Sequence, residues 1–231
     1  MIDPPIHIHK TELMQRILDA VVRGYHWYTS GLVHAHKAAR LSDKFGTLYG
    51  TCRNSNQRAY AKSRGKANAR VLFSAQSRDH QFWWWLLVSE GMGLVHTAES
   101  LRDARDKRSR IRIDDDYELV RRTRSAAQGG GTVWTWRMTR ANYTRWRVSI
   151  LRACRRGDGQ ELNRVLSSLY RVPGYSGVRV QVGKLVETCR QEWRRRHGSL
   201  AGVSWPLKLG YVDRIKDTSI PLTTLMSGAE V

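Results

Sequence analysis

Acidic residues are scarce in this chain. Only 20 Asp and Glu stand against 40 Lys and Arg, which leaves a net charge of +20 over 231 residues. Such a charge repels itself in a compact state unless a polyanion or salt screens it. The sequence pI of about 10.7 lies in the range of nucleic-acid-binding domains. Membrane surfaces and acidic proteins are the competing polyanionic partners.

Cysteine and long apolar runs are also in short supply. The three cysteines, Cys52, Cys154 and Cys189, have no CxxC spacing, which argues against a zinc site or a disulfide framework. They are expected to be reduced, buried thiols of a cytoplasmic protein. No apolar run approaches the roughly 20 residues needed to cross a bilayer, and the N-terminus lacks the charged-then-apolar order of a signal peptide. No membrane contact is therefore expected. A GxxxxGK[ST] phosphate loop is lacking too.

Arginine dominates what is present, with 31 of the 40 basic residues. Guanidinium groups form bidentate pairs with phosphate and stack on bases, so this bias favours nucleic acid over a plain electrostatic contact with a membrane. Codon usage in a GC-rich genome would also favour Arg over Lys. It does not explain the twofold excess of basic over acidic residues.

The basic excess is segregated along the chain. Residues 1–70 carry 12 basic and 4 acidic residues, and residues 121–197 carry 18 and 4. Residues 71–120 are close to neutral, and residues 198–231 have no net charge. Two separated basic blocks indicate a localised binding surface rather than a uniform solubility coat.

Hydrophobic periodicity predicts an α+β fold. Helical spacing of apolar residues begins after Thr11 and again near residue 34, whereas residues 50–70 are predicted to be a loop or a frayed extension of the second helix. Alternation predicts a central antiparallel sheet of about four to five strands over roughly residues 70–138, ending in a glycine-tipped hairpin at 117–138. Three helices then follow Thr139. We expect a domain at 1–138 and a basic helical region at 139–231 packed on it, or a single domain containing both.

Arginine-rich helix faces and the hairpin are the predicted phosphate-binding elements. The hairpin resembles the wing of a winged-helix domain, which reaches a groove or the backbone of DNA. Few acids intersperse with the helical arginines, so i,i+4 pairing cannot neutralise them, although a solvated face is the alternative. The candidates are Arg121, Arg122, Arg124, Arg137, Arg140, Arg145, Arg147, Arg152, Arg155, Arg156, Arg179, Lys184, Arg190, Arg194, Arg195 and Arg196, with Lys62, Arg64 and Lys66 from the first block.

Aromatic residues provide candidate stacking positions. Most tryptophans fall on predicted strands and are expected in the core. Trp27 and Tyr28 are predicted near a helix end beside the first basic block, where they could stack on unpaired bases.

One cluster of acidic residues and one pair of histidines are compatible with the alternative hypothesis of a nuclease. Asp116 and Glu118 would lie on one face of a strand and could hold Mg²⁺, although a turn of solvated acids is the alternative and Val120 stands where a restriction-endonuclease pattern has lysine. The sequence His7-Ile8-His9 matches the His-hydrophobe-His metal motif of rolling-circle replication and relaxase nucleases. Those enzymes carry it on a central strand, which is not predicted here, so no metal ligands are assigned. Metal-independent RNA cleavage by a histidine base is a further version.

The function predicted from sequence is therefore binding of nucleic acid, DNA or RNA, through the phosphate backbone. A non-enzymatic protein without a cofactor is favoured, either alone or as a subunit of a larger bacterial nucleoprotein complex or mobile-element system. A nuclease, with Mg²⁺ in its metal-dependent version, is the alternative. An adaptor for an acidic protein partner is the third reading.

Overall fold

A computed structural model describes residues 3–75 and 80–227. Their strands are β1 (Pro5–His7), β2 (Trp27–His34), β3 (Ala69–Ser74), β4 (Gln81–Val88), β5 (Arg102–Asp103), β6 (Arg112–Ile113), β7 (Tyr117–Thr123), β8 (Thr132–Met138) and β9 (Ile220–Pro221). Their helices are α1 (Lys10–Val22), α2 (Ala35–Tyr49), α3 (Ser55–Ser63), α4 (Val95–Ala98), α5 (Arg140–Arg156), α6 (Gly159–Leu169), α7 (Ser176–His197) and α8 (Leu222–Met226). The predicted α+β class, with mostly antiparallel strands, is confirmed.

The strands form two sheets instead of the single central sheet that the alternation predicts. Within the described residues, one sheet has the order β5-β2-β4-β3-β1-β9 and the other has the order β6-β7-β8. The β1–β3 pair is parallel, while the other pairs of both sheets are antiparallel. The alternating pattern at 117–138 indicates only that one face of these strands is buried. It does not indicate which other strands they pair with, so it is compatible with one sheet or with two.

The chain divides into two compact units. The first comprises Met1–Ile111 with Arg214–Val231, and the second comprises Arg112–Asp213. The hairpin β7–β8 thus belongs with the basic helices, whereas the expected boundary at residue 138 placed it with the N-terminal sheet.

The first unit is built on the long pair β2–β4. Leu86 and Val88 of β4 pack against Phe45 and Tyr49 of α2 on one face of this sheet. Strand β2 itself was not predicted. Its Gly31 pairs with Trp84, and a Cβ at Gly31 would lie 3.0 Å from the indole ring, so any other residue would require the ring to shift by a few tenths of an ångström. The predicted turn between β3 and β4 falls largely at residues 76–79, outside the described residues.

Residues 55–63 correct the expectation of a loop. They form the separate helix α3, which begins at a reciprocal capping box in which Asn54 Oδ1 accepts from the Gln57 amide and Gln57 Oε1 accepts from the Asn54 amide. The Asn-x-x-Gln spacing is the local signal that favours this helix start.

The second unit follows the predicted helical pattern closely. The Thr139 hydroxyl accepts from the Asn142 amide and begins α5, which ends at the left-handed Gly157. Gly198 ends α7 in the same way. Trp136 of β8 is fully buried, and a Cβ at Gly177 would lie 2.4 Å from its carbonyl oxygen, so α7 begins directly against the strand.

The three cysteines differ in burial, which corrects the expectation that all are buried. Cys154 of α5 and Cys189 of α7 are buried with their Sγ atoms 3.9 Å apart, whereas Cys52 is exposed. The hydrogen bond with Cys154, together with burial, raises the pKa of the Cys189 thiol.

Cys52 is therefore expected to react with Ellman's reagent in the native protein at the rate of a free thiol, since only thiolates attack and access controls the rate. Cys154 and Cys189 should react at least about a hundredfold more slowly and gain full reactivity in denaturant. The measurement is the number of thiols that react rapidly with Ellman's reagent in the native protein. It should be one per chain, and this rapid phase should be absent from Cys52→Ser. A native burst of three thiols would contradict the packing of α5 on α7.

Candidate nucleic-acid interface

A cleft of about 640 Å³ lies in the second unit, between the hairpin β7–β8, helix α7 and the segment 205–211. Its charged lining residues are all basic: Arg122, Arg124, Arg179, Arg190 and Lys208. Because no acid among the described residues lines the cleft, its cations reinforce one another, and its concave walls concentrate their field.

Helix α7 and the hairpin bring four of these cations together. Arg179 and Arg190 are eleven residues apart, about three helical turns, so they lie on one side of α7. Arg122 lies near the end of β7, and its guanidinium donates to the carbonyl of Ser176 at 3.4 Å, at the start of α7.

The segment 199–213 forms the remaining wall and is anchored along its length. The anchoring hydrogen bonds run from Trp193 Nε1 to the Ala201 carbonyl (3.1 Å), the Ser204 amide to Asn163 Oδ1 (2.8 Å), Arg179 Nε to the Leu209 carbonyl (2.8 Å) and the Val212 amide to the Gly174 carbonyl (3.3 Å). Within the segment, Trp205 Nε1 donates to the Leu200 carbonyl at 2.8 Å. The segment is an ordered arm that presents Lys208 to the cleft.

Glycine makes the closest approach of this arm possible. A Cβ at Gly174 would lie 2.0 Å from the Gly210 carbonyl oxygen, closer than any side chain allows. The turn between α6 and α7 therefore needs glycine at 174 to hold the arm.

Aromatic rings line or border the same cleft. The Arg179 guanidinium lies 3.5 Å from the centroid of the Tyr211 ring, and that of Arg190 lies 5.7 Å from the Trp205 ring. Burial raises the pKa of Tyr170, which also lines the cleft, against the opposing effect of Arg190. The Tyr170 hydroxyl donates to the Pro206 carbonyl at 3.4 Å.

The structure distributes the predicted phosphate-binding residues over several surfaces. The α5 candidates Arg140, Arg145, Arg147, Arg152, Arg155 and Arg156 are exposed, as are Arg121, Lys184, Arg194, Arg195 and Arg196. Only Arg122, Arg124, Arg179 and Arg190 of the predicted set line the cleft.

Three predicted cations are already ion-paired. Arg137 binds the Glu118 carboxylate at 2.6 Å, Arg145 binds Asp116, and Arg195 binds Glu192 at 2.7 Å. The scarcity of acids within the helices did not exclude these pairs, because Arg137 and Arg145 find their partners outside the helices and Arg195 finds its partner three residues earlier in α7. These partners reduce the positive field available to phosphate.

The first unit carries a separate basic surface. Lys62, Arg64 and Lys66 are exposed at and after the end of α3, as their charge pattern predicts. The Arg64 guanidinium lies 5.5 Å from the ring of Tyr60, which is 64% exposed. Tyr60 was missed by sequence reasoning, because a tyrosine in a polar stretch has no periodic signal.

The predicted stacking pair is not presented to a ligand. Trp27 and Tyr28 lie on β2, not at a helix end, and Tyr28 is only 2% exposed. Its hydroxyl donates to the Arg110 carbonyl at 3.0 Å, and the Arg102 guanidinium covers its ring. Trp27 is half-buried and packs edge-on against His96. Tyr28 is thus a core residue of the first unit, and Trp27 packs against its core.

The predicted magnesium-binding carboxylates, Asp116 and Glu118, lie at the start of β7 and are bound by arginine. Glu118 is buried against Arg137, with Arg112 3.9 Å away. Among the described residues, donor atoms grouped tightly enough for a metal ion are those of His7, Glu12 and Asp217, which lie within 4.8 Å of one another.

The group at His7 corrects the expectation that no strand reaches positions 7–9. His7 is the last residue of β1, but His9 is exposed at the start of α1, so the two histidines are not brought together as ligands. Hydrogen bonds occupy the Glu12 carboxylate, which accepts from His7 Nδ1 at 3.0 Å and from the Thr218 hydroxyl at 2.7 Å. Hydrogen bonds from Ser219 lower the pKa of Asp217, as do His7 and Arg16 nearby. The group fastens the C-terminal segment to α1.

Comparison of the chain with profiles of known protein families, with curated proteins and with solved structures gives no match. Among the helices that the structure describes, none is both long enough and apolar enough to cross a membrane.

Proposed function

We propose that this protein binds nucleic acid, DNA or RNA, through the cleft of the second unit. The observation that carries the proposal is the lining itself: five cationic side chains from three separate segments converge on one concavity, which none of the acids in the described ranges lines. Convergent guanidinium groups in a concave, positively charged site match the phosphate backbone, whose neutralisation releases counterions and drives binding.

The exposed arginines of α5 and the surface at Lys62, Arg64 and Lys66 play a secondary part. They are exposed outside the cleft, and their field raises the encounter rate with a polyanion without fixing its position. The ordered arm, held by hydrogen bonds on both sides of Lys208, limits the conformational entropy that the cleft loses on binding.

Salt dependence of oligonucleotide binding tests the function. With fluorescein-labelled DNA and RNA, the logarithm of the association constant should fall linearly with the logarithm of salt concentration. Contact of all five cations with phosphate sets the steepest slope expected, about −4.5 for duplex and about −3.5 for single strands, and fewer contacts give a proportionally shallower slope. Absence of binding at low salt, or a Kd indifferent to salt, would overturn the proposal.

A pair of matched triple variants locates the contact. Arg122→Gln with Arg190→Gln and Lys208→Gln removes three charges from the cleft, and Arg147→Gln with Arg152→Gln and Arg156→Gln removes three from α5. The cleft variant should lose about a hundredfold in affinity and two to three units of salt slope, whereas the α5 variant should lose less than about fivefold. Equal losses would show that binding follows net charge and not the cleft.

A further inference from the structure

The cleft combines its cations with apolar side chains that stand in water. Leu207 is 99% exposed, Tyr211 is 69% exposed and Val180 is 41% exposed, and all three line the cleft. Such exposure at a concave, basic site is unusual for a solvated surface and marks a place where a ligand covers apolar area.

The combination of cationic and exposed apolar side chains favours unpaired nucleic acid over a duplex. A duplex presents phosphates outside and hides its base faces in the stack, so its backbone gains nothing from Leu207 or Tyr211. An unpaired strand offers apolar base faces together with phosphates, which is the surface that binders of single strands use. A cleft of about 640 Å³ has the size of a small-molecule pocket and fits a few nucleotides.

The Tyr211 ring is held in place for such a contact. The Arg179 guanidinium lies 3.5 Å from the ring centroid, and Arg179 Nε donates to the Leu209 carbonyl, two residues before Tyr211. Arg179 therefore covers one face of the ring, and the large exposed fraction of Tyr211 leaves the other face open.

We infer that the cleft binds unpaired nucleic acid, with a base stacked on the open face of Tyr211, a second apolar contact at Leu207, and phosphates at Arg122, Arg124 and Lys208. This inference rests on the proposed function, and it names the form of nucleic acid that the site selects. The Arg179–Tyr211 pair then extends into a stack of guanidinium, ring and base, in which the cation strengthens the outer contact.

Equilibrium binding of equally long oligonucleotides tests the form. The probes are fluorescein-labelled 12-mers of dT and of U, and a 12-base-pair DNA duplex, at the same salt concentration. We expect each unpaired probe to bind at least about tenfold tighter than the duplex. The two unpaired probes together separate DNA from RNA as the natural source of the strand.

Tyr211→Ala should weaken binding of the unpaired probes about tenfold and binding of the duplex less than twofold, because one stacked base contributes about 1–3 kcal/mol. Tyr211→Phe keeps the ring and should retain wild-type affinity. Tyr60→Ala is the matched control, since Tyr60 is also exposed beside an arginine but lies in the first unit. A loss with Tyr60→Ala as large as that with Tyr211→Ala overturns the assignment to the cleft.

Photocrosslinking gives a readout that does not depend on a variant. An oligonucleotide containing 5-iodouracil, irradiated with the wild-type protein, should attach to the peptide containing Tyr211. Duplex binding equal to or tighter than single-strand binding, with no effect of Tyr211→Ala, overturns this inference and leaves the proposed function standing. Absence of binding to every probe overturns both.

Discussion

Gly183→Glu is expected to weaken oligonucleotide binding at least about tenfold while leaving the fold intact. Gly183 is an exposed residue within α7 that lines the cleft, and a Cβ there meets nothing within 4 Å. The new carboxylate lies one helical turn after Arg179, which it can pair with, and it repels phosphate. A tenfold loss corresponds to about 1.4 kcal/mol.

The same substitution separates binding from stability. Glutamate is favoured over glycine in a helix interior by roughly 0.5–1 kcal/mol, so the free energy of unfolding should stay the same or rise. Gly183→Gln has nearly the same shape without charge and should change the Kd less than about twofold. Equal losses with both variants would indicate steric blocking, and no loss with either would exclude the cleft as the binding site.

Glu12→Ala is expected to destabilise the first unit by about 3 kcal/mol. The Glu12 side chain is 0% exposed and accepts hydrogen bonds from His7 and Thr218, with Arg16 Nε 3.7 Å away. Removing it leaves buried polar partners unsatisfied, which costs about 3–5 kcal/mol when a buried ion pair is broken. Urea unfolding followed by circular dichroism measures the loss.

Proteolysis gives a local readout of the same contact. Glu12 holds Thr218 on the C-terminal segment, so Glu12→Ala should speed tryptic cleavage after Arg214 or Lys216 while cleavage elsewhere changes less. Glu187→Ala is the control, because Glu187 is exposed and bonds only a side chain of its own helix at 3.0 Å; its effect should stay below about 0.5 kcal/mol. A loss below about 1 kcal/mol for Glu12→Ala would contradict the structural role.

The sequence predicts best those helices and strands whose ends are marked by neighbouring residues, such as a capping side chain or a helix-ending glycine. Thr139 and Gly157 mark both ends of α5 within one turn, since a cap and a left-handed glycine act on their immediate neighbours. Strands β1 and β9 lack any such signal. They have three and two residues and pair with each other from opposite ends of the chain, so no periodicity within them could reveal the pairing.

The candidate site also contains residues that the sequence could predict and residues that it could not. Arg122, Arg124, Arg179 and Arg190 could be proposed from charge alone, but so could the α5 arginines on a different surface. Lys208 and Tyr211 were missed because residues 198–231 have no net charge, and nothing in their composition singles them out. Trp27 and Tyr28 were proposed for stacking, but both lie on a strand, with Tyr28 in the core and Trp27 half-buried against it. An aromatic cluster has the same sequence pattern on an exposed helix end and on a covered strand.

By itself, the sequence determined the large positive charge, its concentration in two blocks, the α+β class and the arginine faces of the C-terminal helices. Each of these follows from composition or from interactions over a few residues. Only the tertiary structure decided which cations converge, which are paired with acids, and which aromatic rings remain exposed. Those outcomes depend on segments that are not neighbours in the sequence, 122–124, 179–190 and 208–211, meeting around one cleft.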